Sequence, residues 1–137
     1  MWTAEINYAA MIVAALVPIA VGFNWYSLRV FGKAWMRLIG KTQEQIEAEG
    51  NMVRALVVSN VGALVTSYLL AQIVAFTGAE GFGEGFVIGI WGAIGLVATA
   101  FASSYVYENR PQSLYLINVG YHVVTLPIMA GILSVWS

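Results

Sequence analysis

The sequence predicts an all-α fold: a polytopic membrane protein of four transmembrane helices, with a short amphipathic interfacial helix between spans one and two. Three observations predict it. First, 60% of the 137 residues are apolar and 9% charged, with a mean hydropathy of +0.78, whereas a soluble domain carries about a quarter charged residues. Second, four stretches (residues 6–28, 55–79, 85–107 and 111–137) contain no Asp, Glu, Lys or Arg, and none is shorter than 23 residues. About 20 apolar residues, rising about 1.5 Å each, cross a hydrocarbon core about 30 Å thick. Third, all six Lys and Arg residues lie in the segments joining spans one to two and three to four, while the joint between spans two and three holds only Glu80 and Glu84. By the positive-inside rule both basic segments face the cytoplasm and both termini lie on the other side.

The chain reads as a single domain, residues 1–137, with spans at about 6–28, 52–77, 85–107 and 112–136. Its first ten residues hold Glu5 and no Lys or Arg, so they lack the basic leader of a secretory signal and the first span is expected to be retained. Pro18 lacks a backbone N–H and should kink that span. In the segment after it, Arg29, Lys33, Arg37 and Lys41 recur every four residues and Phe31, Ala34, Trp35, Leu38 and Ile39 take the other side. This pattern predicts a basic-faced helix lying in the headgroup layer, a membrane-interface set of Arg29, Lys33, Trp35, Arg37 and Lys41 that either anchors orientation or holds a lipid headgroup. Gly40 reads as a helix stop, Thr42 and Gln45 as a capping box, Gly50 as a second stop and Asn51 as the cap of span two.

In span two, Ser59, Ala63, Ser67 and Ala71 recur every four residues. Span three repeats the pattern with Gly85, Gly89 and Ala93, and again with Gly95, Thr99 and Ser103. Such small-residue rows let helices approach closely. Pro127 lies within span four, and Glu108 and Arg110 flank the cytoplasmic turn before it, near enough to Arg54 and Arg29 for an ion pair, and read either as a clasp of that turn or as the rim of a cytoplasmic pocket.

Polar residues inside the spans are the candidates for function. Counting helical rise from the cytoplasmic ends puts Asn24, Asn60 and Asn118 about 8 to 10 Å deep, with Ser103 and Ser104 slightly shallower. His122 falls near the middle, with Thr99 and Ser67 at comparable depth. Tyr115, Asn118, His122, Thr125 and Met129 share one stripe of span four that should face protein. An amide or imidazole in hydrocarbon costs several kcal/mol without partners. Asn24, Asn60, Thr99, Ser103, Asn118 and His122 therefore either bond across helices and fix their packing, or line a small polar pocket open to the cytoplasm. In that pocket His122, whose ordinary pKa is near 6.5, would take or give a proton.

Composition narrows the chemistry. No Cys and no Asp is present, His122 is the sole histidine, and no carboxylate lies within a span. Thiolate and zinc sites, two-aspartate chemistry and carboxylate-coupled antiport of the small multidrug exporters therefore lack their residues. A serine nucleophile built from Ser103 or Ser104 with His122 and Glu108 carries no signature spacing. The expectation is a protein that is not an enzyme, with no cofactor, no metal and no nucleic-acid partner.

Three blocks then become recognisable: GFNWYSLRVFGKAWM at residues 22–36, SYVYENRP at 104–111 and LINVGYH at 116–122. With the Asn51-Met52 start of span two, they resemble the signature blocks of a family of small bacterial membrane proteins known as domain of unknown function 1761. Leu28 stands where many relatives are expected to carry proline. The resemblance implies four spans and a membrane location. It assigns no activity, and marks Asn24, Trp25, Tyr26, Asn118, Tyr121 and His122 as matches to the blocks without giving any of them a role.

These observations lead to the expectation of an inner-membrane protein whose partners are the lipid bilayer, copies of itself and other membrane subunits. It would bind or pass a small polar solute or ion through the Asn/His belt, with the small-residue rows as interfaces between copies. The alternative is an accessory or structural subunit whose polar belt only locks its own packing.

Overall fold

The computed structural model describes residues 3–136. Met1, Trp2 and Ser137, the last residue of the fourth uncharged stretch, lie outside them. Among the described residues the chain is all-helical: α1 (Tyr8–Ala15), α2 (Val17–Trp25), α3 (Gly32–Ile39), α4 (Gln43–Ala48), α5 (Met52–Thr77), α6 (Gly81–Gly92), a π-helical stretch at Ala93–Ala98, α7 (Thr99–Tyr107) and α8 (Gln112–Val135). Four helical runs are long and apolar enough to cross a membrane: Tyr8–Trp25, Met52–Thr77, Gly81–Tyr107 and Gln112–Val135. Large apolar side chains cover their outer surface. Phe23, Trp91 and Val106 are all more than 70% exposed, an arrangement suited to lipid and costly in water.

Local chemistry sets the element ends. Asn7 caps α1 through its side chain, accepting from the Ala10 N–H at 3.2 Å. The first span breaks at Leu16, and Pro18 opens α2, where its missing N–H costs least. The basic-faced helix is shorter than its charge spacing predicts. Residues 26–31 form turns, because the Phe31 N–H returns to the Trp25 carbonyl and the Gly32 N–H to the Ser27 carbonyl. A Cβ at Gly32 would strike the Tyr26 and Ser27 carbonyls, so Arg29 sits in the turn rather than on α3. Gly40 ends α3 with φ 73°, and Thr42 and Gln45 form the capping box of α4. Asn51 makes no side-chain cap on α5, contrary to expectation. Glu84 reaches back from the first turn of α6 to accept the Glu80 N–H at 2.7 Å.

The helices run up and down, and α8 is the hub against which α1, α2, α5, α6 and α7 all pack. Glycines carry its contact with α6. A Cβ on Gly85 would meet the Ala130 carbonyl, and one on Gly89 would meet the backbone of Leu126 and Pro127. Ala63, Ser67 and Ala71 are buried where α5 meets α1 and α8, and the Ser67 hydroxyl donates to the Met11 carbonyl at 2.6 Å. These two rows are therefore spent within one chain. Ser59 and the row Gly95, Thr99, Ser103 stay exposed.

The bundle has two unlike ends. Toward the termini the core is dense and aliphatic, built on Ala10, Ala14, Leu70, Ala71, Val74, Leu126, Met129, Ala130 and Leu133. There Gln72 clamps the N-terminal segment, accepting from the Ala4 N–H at 2.6 Å and donating to the Ala4 carbonyl at 3.2 Å. Toward the basic end α5 departs: every residue from 52 to 62 is exposed. Past the break at Leu16, α2 stays on α8 and makes little contact with α5.

Candidate functional site

What holds α2, α7 and α8 together at the basic end is a cluster of aromatic side chains joined by hydrogen bonds. Its centre is Asn118. The Tyr26 hydroxyl donates to Asn118 Oδ1 at 2.7 Å, and Asn118 Nδ2 donates to the Tyr105 hydroxyl at 2.7 Å. One amide thus bridges the end of α2 to α7, and an amide spent at both ends escapes the cost of lying unpaired in hydrocarbon. Trp25 Nε1 donates to the Ile117 carbonyl at 2.9 Å, and the Tyr121 hydroxyl donates to the Pro18 carbonyl at 2.8 Å. Gly22 leaves room for the Tyr121 ring, which would lie 3.3 Å from a Cβ there.

The π-helical stretch belongs to the same arrangement. A π turn lets a carbonyl fall out of the i→i+4 ladder, and the Tyr115 hydroxyl donates to the Ala98 carbonyl at the end of that stretch, at 2.7 Å. Tyr115 also packs edge-on to Tyr105 at 5.4 Å. Arg110 lies 4.2 Å over the face of Tyr105, a cation–π contact worth about 0.5–1 kcal/mol where exposed. This replaces the ion pair expected of the turn, since Glu108 accepts instead from the Ser104 hydroxyl at 2.5 Å. Among the described residues the ion pair found is Lys41–Glu49.

His122 sits one turn deeper than Asn118. Its imidazole meets Tyr121 edge-on at 5.0 Å and Phe101 edge-on at 5.8 Å. Among the described residues no protein group hydrogen-bonds to either ring nitrogen, and the Thr125 hydroxyl donates to the residue's carbonyl at 3.4 Å. Among the described residues neither Thr99 nor Ser67 hydrogen-bonds to it. Thr99 bonds the Gly95 carbonyl of its own helix, and Ser67 bonds Met11.

The polar residues singled out from the sequence therefore separate. Asn118 and His122 enter the cluster. Asn24 is exposed and donates back to the Ala20 carbonyl at 2.8 Å. Asn60 lies on the departing half of α5, and Ser103 is exposed on α7. Of the interface set, Arg29, Lys33, Arg37 and Lys41 are exposed, and the Trp35 ring packs edge-on to Tyr26 at 5.8 Å. Tyr26, Tyr105 and Tyr115 carry more of the cluster than depth counting suggests. Their signal in the sequence is the density of tyrosines near the basic ends of spans one, three and four, the level at which aromatic residues gather in membranes.

No curated protein and no solved structure matches the chain. A family match runs from residue 9 to residue 134 and takes in every helix of the cluster, so the chain belongs to the family described as "Protein of unknown function (DUF1761)".

Proposed function

We propose that the protein is a non-catalytic integral membrane protein that binds a small polar solute at the basic end of its bundle. The observation that carries this is the imidazole of His122. In the middle of a spanning helix, between two aromatic rings, both its nitrogens are without a hydrogen-bond partner among the described residues, and an imidazole can both donate and accept. Asn118, Tyr26 and Tyr105 form the rigid wall beside it. The protein lies in the inner membrane with its basic segments cytoplasmic and both termini outside, following the six-to-none split of Lys and Arg.

Passage of the solute, as distinct from binding, requires more than one copy. Toward the termini the interior of a single bundle is filled by Leu70, Val74, Leu126, Met129 and Leu133. Copies associate through the exposed row Gly95, Thr99, Ser103, because the other two rows are already used within the chain. A second reading, an accessory subunit, is favoured by the Asn118 amide, which is engaged at both ends as a packing lock would be.

Native mass spectrometry of the protein extracted with its own lipids separates the two. Solute binding predicts a multimer carrying a small retained mass that disappears in His122→Ala at unchanged melting temperature. An empty monomer contradicts both readings. A multimer with companion chains and no solute supports the accessory role.

A further inference from the structure

Beneath the basic turn, the outer surface of α2 carries an open recess of about 280 Å³ lined by Ala20, Val21, Asn24, Trp25 and Val30. Its walls are almost wholly apolar. The one amide among them, Asn24, is turned back onto the Ala20 carbonyl. The recess is fixed rather than formed on demand. Trp25 is pinned through Nε1 to the Ile117 carbonyl and packs on Phe31 at 4.7 Å, and Ser27 holds the turn by donating to the Asn24 carbonyl at 2.7 Å. From Ala20 to Trp25 it extends about 8 Å along the helix, at about 1.5 Å per residue.

The charged residues that next follow it in the chain are of one sign. Arg29 adjoins Val30 in the wall, and Lys33 and Arg37 follow on the exposed face of α3. Among the described residues none of the three forms an ion pair, whereas Lys41 is matched by Glu49. An apolar slot opening sideways, with Arg29 next to its wall residue Val30 and Lys33 and Arg37 on the helix that follows, is complementary to an amphiphile with a hydrocarbon chain beneath a phosphate.

We propose that this recess binds one anionic phospholipid. An acyl chain lies against Ala20, Val21, Trp25 and Val30, and the headgroup phosphate meets Arg29 with Lys33 and Arg37 beside it. The site requires the basic end to lie at a headgroup layer, as proposed above. It differs from general attraction to anionic membranes, which the basic face of α3 would exert without any recess.

The test is native mass spectrometry of the full chain from mixed micelles containing equal phosphatidylglycerol and phosphatidylcholine. The expected result is one retained phosphatidylglycerol per chain, favoured at least fivefold over phosphatidylcholine. Ala20→Phe fills the recess from an exposed position and leaves every cation in place; it should cut retention at least fivefold with an unchanged melting temperature. Arg29→Gln should keep a lipid but lose the preference for phosphatidylglycerol. His122→Ala should leave lipid retention intact, so that loss of solute and loss of lipid are read separately. Equal retention of the two lipids by the native chain, or full phosphatidylglycerol retention by Ala20→Phe, overturns the site. If the protein fails to float with vesicles of the same composition, the membrane placement itself fails.

Discussion

At Asn118 a single side chain satisfies two tyrosine hydroxyls from different helices. Removing it takes that partner from both hydroxyls. Asn118→Ala should therefore lower stability by about 1–3 kcal/mol, and Tyr26→Phe, which leaves Asn118 with Tyr105, by about 0.5–1.5 kcal/mol. Denaturant unfolding in mixed micelles reads both, and equal losses would mean that the amide does not act as a bridge. Gln72 makes the corresponding contact near the termini, pairing with both backbone groups of Ala4. Gln72→Ala should release that segment, seen as hydrogen exchange at Ala4 that is at least tenfold faster while exchange in α8 is unchanged. His122 differs from both. Among the described residues its ring makes aromatic contacts and no hydrogen bond, so its replacement should cost less stability than that of Asn118.

Among the helices, the α6–α8 contact tests how much of the packing rests on missing side chains. Gly89→Ala puts a methyl group against the backbone at Pro127 and Leu126 and should cost about 1–3 kcal/mol. Gly62→Ala, on the departing half of α5, meets nothing within 4 Å and should stabilise α5 by up to about 1 kcal/mol through helix propensity alone. The same thermal scan in detergent measures both, and similar shifts would refute the close approach. These elements also mark where the sequence was legible. The four long helices, the left-handed stop at Gly40 and the Thr42–Gln45 box depend on local composition and spacing, and can be read directly. The turn that shortens α3, the π stretch at Ala93–Ala98 and the parting of α5 from α2 depend on which neighbour each segment packs against. For the same reason counting depth puts Asn118, His122 and Asn60 in one belt, whereas Asn60 lies exposed on the departing half of α5, since depth says nothing of which way a helix leans.

The molecule as a whole is asymmetric about the middle of its spans. One end is closed by small and aliphatic side chains, with α1, α5 and α8 in contact. The other is held by tyrosines and opens where α5 leaves the bundle. The proposed solute site and the recess both lie toward that second end; the recess needs a headgroup layer there, and the proposed opening of the solute site to the cytoplasm needs the basic segments on that side. The chain contains no cysteine, so single substitutions report position without background. Lys41→Cys and Glu80→Cys, each in sealed right-side-out vesicles, test the placement most directly with a membrane-impermeant maleimide. Cysteine at position 80 should label at once, and cysteine at position 41 only after the vesicles are opened. Labelling of position 41 in sealed vesicles would contradict the proposed orientation and with it the cytoplasmic opening of the solute site.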